Sequence, residues 1–119
     1  MQVTWSAFQR LNEENVRKNV PEAAGVYLLW VQLKSEKWRC YYVGQAEDLQ
    51  ARLLEHYNSS EPNDCVRNNV QNHISGYEYA IVSRQADRDG IEKFLYDNYD
   101  KPECNKQDPG GIPIQINLP

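Results

Sequence analysis

The run GVYLLWVQL from Gly25 to Leu33 and a second β-branched and aromatic run from Trp38 to Val43 flank the polar stretch Lys34-Ser35-Glu36-Lys37. This spacing predicts a β-hairpin with a four-residue loop. If that loop sets the register, Leu33 faces Trp38 and opposing residue numbers sum to an odd value. Tyr27 and Tyr42 then share a sheet face as diagonal neighbours, roughly 7 to 8 Å apart at the backbone. A slip of one residue would put the two phenols on opposite faces.

Other segments supply helices and one more strand. Trp5, Phe8, Leu11, Val16 and Val20 recur at roughly helical spacing and Pro21 closes the segment, which predicts an N-terminal amphipathic helix within residues 1–22. Asp48 can cap a helix over 49–57 whose buried stripe is Leu49, Leu53, Leu54 and Tyr57. Arg52 and His56 lie one turn apart on it. Asn58 to Asn63 is loop, Cys65 to Ile74 a short helix, and Tyr77 to Ser83 a third strand. A last helix starting near Asp87 carries Ile91, Phe94, Leu95 and Asn98 inward, with Glu92 beside that stripe. The proline- and glycine-rich tail over 107–119 is expected to wrap or dangle.

At 119 residues, with 40% hydrophobic and 25% charged residues, the chain reads as one ordinary globular domain. No apolar run approaches a membrane span and the N-terminus lacks a leader pattern, so the simplest expectation is a cytoplasmic protein. Cys40, Cys65 and Cys104 are odd in number and widely spaced, and the expectation is three reduced thiols. The formal charge of −4 is an awkward average for a protein that grips a polyanion, although a cleft can be locally basic.

Tyr27, Tyr42, Arg52, His56 and Glu92 carry the chemistry. Phosphodiester hydrolysis needs an activated water, charge stabilisation on the phosphoryl oxygens and help for the departing oxygen. Arg52 offers a permanently charged fork that matches phosphate oxygens, its bland alternative being an ion pair with Asp48 or a neighbour of His56. Glu92 can hold one divalent ion, Mg2+ or Mn2+, while water and phosphate fill the other positions, and a single carboxylate argues against a two-metal clamp. Tyr27 or His56 could deprotonate the water. Gly44 ends the second strand, where a missing side chain permits a bend or the close approach of substrate. His73 has no partner spacing and reads as structural or exposed, and Asp87 and Asp89 as helix-start charges.

The order GVY, YVG, Arg52 with His56 one turn on, Glu92, and Asn105 after Pro102 resembles the GIY-YIG nuclease superfamily across about residues 23 to 106. Valine stands for isoleucine in both triplets, which keeps a β-branched residue. The gap between the triplets is slightly longer than is common, and the hairpin loop absorbs it. The resemblance implies an α+β fold, a small three-stranded antiparallel sheet flanked by helices. It further implies Tyr27 as base, Tyr42, Arg52 and His56 in the catalytic set, Glu92 as ligand of one divalent ion, and Asn105 as a brace.

The expected activity is therefore metal-dependent endonucleolytic cleavage of DNA by direct attack of water, with RNA left open as substrate. The alternative is a catalytically weak or inactive binding module for nucleic acid or a protein partner, which the acidic charge favours. No appended reading domain is expected, so target choice is expected to fall to substrate shape, a protein partner or the tail. Oligomeric state is open.

Overall fold

In the computed structural model, which describes residues 1–119, the chain runs β1 (Gln9–Arg10), α1 (Glu13–Asn19), β2 (Gly25–Gln32), β3 (Trp38–Ala46), α2 (Leu49–Tyr57), α3 (Asp64–Asn72), β4 (Ser75–Ile81) and α4 (Gln85–Asn98). The strands form one antiparallel sheet in the order β1-β4-β2-β3, so the α+β architecture has four strands where three were expected. The added strand comes from the N-terminal segment. Gln9 and Arg10 pair with Tyr77 and Gly76, and Trp5 bridges Ala80. The helix expected across residues 1–22 is thus confined to Glu13–Asn19, where Asn12 caps it by accepting from the Asn15 N–H. Trp5 and Phe8 cover the sheet and its edge instead of forming a helical stripe.

The β2–β3 hairpin forms, but its tip closes one residue differently from the expectation. Leu33 N–H donates to Lys37 O, Glu36 N–H donates to Leu33 O, and Glu36 takes a φ of 68°. This is a three-residue loop, a turn followed by a left-handed residue, and it sets Gln32 rather than Leu33 opposite Trp38. Continued down the ladder, that register would separate the two tyrosines. A bulge prevents it: Trp30 faces Cys40 whereas Leu29 faces Tyr42, leaving Tyr41 as the extra residue. Below the bulge Tyr27 pairs with Gly44, and Tyr42 returns to Tyr27's face. Tyr41 lies on that face too, its hydroxyl 2.7 Å from Ser75 Oγ.

The sheet is covered on both sides. Tyr27, Leu29, Val31, Tyr41 and Tyr77 pack under Val16 of α1, Leu49 and Leu53 of α2 and Val66 of α3. Val26, Leu28, Cys40, Val43 and Ala80 on the other face pack against Ile91 and Leu95 of α4 and Ile116 of the tail. On α2, Tyr57 is exposed where the stripe predicted burial, and His56 is buried. On α4, Asn98 is exposed and Tyr96 is buried. The tail wraps: Ile114 N–H donates to Gly90 O, and the Asn117 side chain accepts from Val3 N–H and donates to Val3 O.

Cys65 and Cys104 form a disulfide, which corrects the expectation of three reduced thiols; Cys40 alone is free, and it is buried. Three cysteines allow three alternative single bonds, and spacing alone cannot say which two meet. The bond ties the start of α3 to the segment lying along the outer edge of β3, where Cys104 N–H donates to Tyr41 O. No helix is long and apolar enough to cross a membrane.

Candidate active site

Tyr27, Tyr42 and His56 form one aromatic cluster. Ring centroids are 6.1 Å apart for Tyr27 and Tyr42, 5.5 Å for Tyr27 and His56, and 5.2 Å for Tyr42 and His56. The Tyr27 hydroxyl lies 2.6 Å from His56 Nε2. The bulge in β3 brings the two phenols together, and the Asp48 cap, accepting from Ala51 N–H, sets the helical phase that turns His56 inward.

Gly44 explains how the Tyr27 ring fits. A Cβ at Gly44 would lie 2.4 Å from both Cζ and the hydroxyl oxygen of Tyr27, so the ring occupies the space a side chain would need. The sequence left that space for a bend or for the close approach of substrate; in the fold the Tyr27 ring fills it. The glycine of the first triplet is also constrained, since a Cβ at Gly25 would lie 2.2 Å from Ala80 O. Both are cases of close backbone approach within a sheet.

Burial drives the Tyr27 phenol well above its ordinary pKa, and the neighbouring Tyr42 adds to this, while Arg52 pulls it back. Arg52 is half-buried one turn before His56, with its guanidinium donating to Glu55 Oε2 at 2.8 Å. This is the ion pair with a neighbour of His56 that was set against a catalytic role. Glu55 is mostly exposed, so phosphate can displace it at little cost.

Glu92 arrives from the opposite side of the sheet. Helix α4 packs on the face away from Tyr27, and Glu92 reaches round β3 at Gln45, whose Nε2 donates to Glu92 Oε1 at 3.3 Å and to Asp89 Oδ1 at 2.9 Å. Gln45 is itself held through Oε1 by Gln85 at 2.8 Å and by the buried Arg88 at 3.4 Å. Burial raises the Glu92 pKa, Gln45 opposes the shift, and Asp89 adds to it. Tyr42, Glu92 and Asn105 line one cleft of about 490 Å³ together with Asn63 and Lys106. A cleft of about 540 Å³ between α1, α2 and α3 contains none of the predicted site residues.

Asn105 makes no hydrogen bond to the aromatic cluster. Its side chain accepts from Val43 N–H at 2.9 Å and donates to Val43 O at 2.8 Å, completing the open edge of β3 as a paired strand would. His73 is exposed.

The donor set suits a hard divalent cation held at one point. Glu92 Oε2 has no protein partner, and oxygen ligands from water and phosphate fit the remaining positions of such an ion. The chain's one close group of three potential ligands, Cys65, Glu103 and Cys104, has both sulfurs committed to the disulfide. No closed protein cage competes with Glu92.

Two residues near this site were not singled out by sequence reasoning. Gln45 follows the second triplet directly, and strand alternation alone gives it no role. Glu61 sits in the loop after α2, only 1% exposed, with Oε2 3.3 Å from His56 Nδ1. Its place in the loop segment NSSEPN reads as solvent-facing, and a buried loop carboxylate has no periodic signature.

No protein-family model matches the chain, and no curated protein does. Among solved structures, it is similar to the GIY-YIG N-terminal endonuclease domain of UvrC from Thermotoga maritima bound to magnesium, with TM-score 0.54, 24% identity and coverage of 77% of this chain and 97% of that one. A point mutant of the same domain bound to its catalytic divalent cation gives TM-score 0.55, 23% identity, and coverage of 79% and 98%. The protein has the fold of a GIY-YIG endonuclease domain.

Proposed function

We propose that the protein is a metal-dependent endonuclease that hydrolyses DNA phosphodiester bonds by attack of an activated water, using one divalent ion, Mg2+ or Mn2+. The observation that carries this reading is the Tyr27–His56 hydrogen bond of 2.6 Å beside Tyr42, whose own ring lines the cleft that holds Glu92. The magnesium-bound domain of similar fold supports the choice of ion class.

In this reading Arg52 releases Glu55 and forks onto the non-bridging oxygens of the phosphate, where its charge is worth more than at the surface. Glu92 would hold the ion through its unpartnered oxygen. When bound, the ion supplies positive charge to the phosphoryl group and makes a water more acidic. Tyr27 takes the proton of the attacking water and is relieved of its own by His56. Tyr42, whose ring lies beside that of Tyr27 and lines the cleft, offers its hydroxyl to the phosphate. The Asn105 amide keeps the β3 edge, and so Tyr42, in place during the reaction.

A nicking assay on supercoiled, linear and branched DNA with Mg2+ or Mn2+ tests the proposal. Wild type nicks, whereas Glu92→Ala and Tyr27→Phe lose at least about 100-fold in rate, in line with the loss of an ion or a general base. Wild type that cuts nothing, or variants that cut equally well, refute it. The net charge of −4 and the Arg52–Glu55 pair favour a second reading, a binding module without catalysis. That reading predicts salt-sensitive DNA binding, or capture of a protein partner, unchanged by Glu92→Ala.

A further inference from the structure

Glu61 and His56 are each only 1% exposed. Neither His56 Nδ1 nor Glu61 Oε2 forms a hydrogen bond to any other group, and the two buried atoms face each other at 3.3 Å. The backbone of Glu61 is fixed on both sides, Arg67 donating to Glu61 O at 2.6 Å and Glu61 N–H donating to Asn58 O at 3.0 Å, and its carboxylate is held by Asn63 N–H, which donates to Oε1 at 3.3 Å. Only Oε2 remains, and it is aimed at the imidazole.

We propose that Glu61 is a positioning residue for the cleavage reaction: its carboxylate fixes His56 as the Nδ1–H tautomer, so that Nε2 accepts the proton of Tyr27. The reasoning is one of donors and acceptors. An ionised carboxylate only accepts, so the imidazole nitrogen facing it must carry hydrogen, and in a neutral ring the other nitrogen is then bare. The Tyr27 hydroxyl at 2.6 Å from Nε2 is consequently the donor of that bond. Burial depresses the His56 pKa although Glu61 opposes the shift, which keeps the ring neutral in the resting protein. For Glu61, burial raises the pKa, but His56, the Asn63 N–H and Arg52 together outweigh it and the carboxyl stays below its ordinary value.

The role in cutting rests on the nuclease reading above. In the reacting complex the water oxygen forms its bond to phosphorus as the ester P–O bond breaks. The water proton passes to the Tyr27 oxygen, the Tyr27 proton passes to His56 Nε2, and the departing oxygen takes a proton from solvent. The imidazolium so formed faces Glu61, which stabilises it as the acid partner of a hydrolytic triad does. Charge is conserved at every transfer, and no oxidant or further reactant is needed.

The test exploits the hydrogen bond from Asn63 N–H. In Glu61→Gln that N–H selects the amide oxygen and turns the amide NH₂ toward His56 Nδ1. This forces the opposite tautomer and makes Nε2–H a donor to Tyr27. Nitrogen-15 NMR of the imidazole in the whole protein reads the tautomer, and single-turnover nicking of supercoiled DNA reads the rate. Wild type is expected to show Nδ1–H. Glu61→Gln should show Nε2–H and a single-turnover rate at least about 10-fold lower with substrate affinity unchanged, and Glu61→Asp should recover part of that rate. Nε2–H in wild type overturns the proposal, as does full-rate cleavage by Glu61→Gln with the tautomer switched. If Glu61→Gln fails to fold, wild type and Glu61→Asp still decide on the tautomer. If wild type cuts nothing, the nuclease reading fails while the NMR result still judges the Glu61–His56 assignment.

Discussion

Opening the Cys65–Cys104 bond should cost the fold a large share of its stability. The two cysteines are separated by 39 residues. Releasing a closed loop of that length returns roughly 13 cal/mol/K of chain entropy to the unfolded state, or about 4 kcal/mol at 25 °C. Domains of this kind are commonly stable by only about 5 to 15 kcal/mol. The fold should survive reduction, because both faces of the sheet keep their packing, but with a narrow margin. Urea unfolding followed by tryptophan fluorescence, on the same chain oxidised and reduced, is the direct measurement. With a slope of about 1 to 3 kcal/mol per molar urea, the midpoint should fall by about 1.3 M or more on reduction. Thiol labelling of the unreduced, denatured chain should find Cys40 alone. Labelling of all three cysteines, or midpoints that agree within about 0.3 M, would refute the reasoning.

Gly44→Ala should force the Tyr27 ring away from His56, costing about 1 to 3 kcal/mol in overpacking and most of the cleavage rate; normal stability together with a normal rate would count against the fit described. Glu92→Gln should abolish Mn2+ binding measured by calorimetry or electron paramagnetic resonance. In wild type, protons should begin to displace the ion above the pH range of an ordinary glutamate, because burial raises the Glu92 pKa. The His56 pKa is depressed on folding, so the unfolded chain takes up a proton that the folded one refuses as pH falls through about 6.5. Stability should therefore decline below that pH, by at most about 1.4 kcal/mol per pH unit for this residue, down to the folded pKa. His56→Asn should flatten this part of the profile, and a slope identical to that of wild type would exclude His56 as its source.

The elements with a strong local pattern were legible in the sequence. The hairpin, the helix capped by Asp48, the strand near Tyr77 and the last helix all stand where periodicity and capping put them. The N-terminal segment misled because Trp5 and Phe8 fall at helical spacing by coincidence. Their partners, Ala80 on β4 for Trp5 and Trp38 on β3 for Phe8, are distant in the chain, beyond the reach of any local pattern. Burial on α2 was misread in one place: a histidine usually faces solvent, and only a partner such as Glu61, from a loop, lets His56 replace Tyr57 in the interior. The approach of Glu92 from the far face was likewise hidden, since it depends on how α4 crosses behind β3. The disulfide depends on the fold of the 102–106 segment, which no spacing rule describes.

The bulge at Tyr41 divides the hairpin into two parts with different tolerances. β4 holds β2 on both sides of the bulge, from Gly25 to Val31; on β3 the tip sets the pairing toward the loop, and Asn105 holds the edge at Val43. A residue inserted or removed between Leu33 and Lys37 therefore alters only the outer half, and the parity of the Tyr27–Tyr42 face is reset before it reaches the cleft. The tip is thus an interchangeable module. A longer or more basic loop could be grafted there to recruit a chosen substrate without retuning the residues near His56.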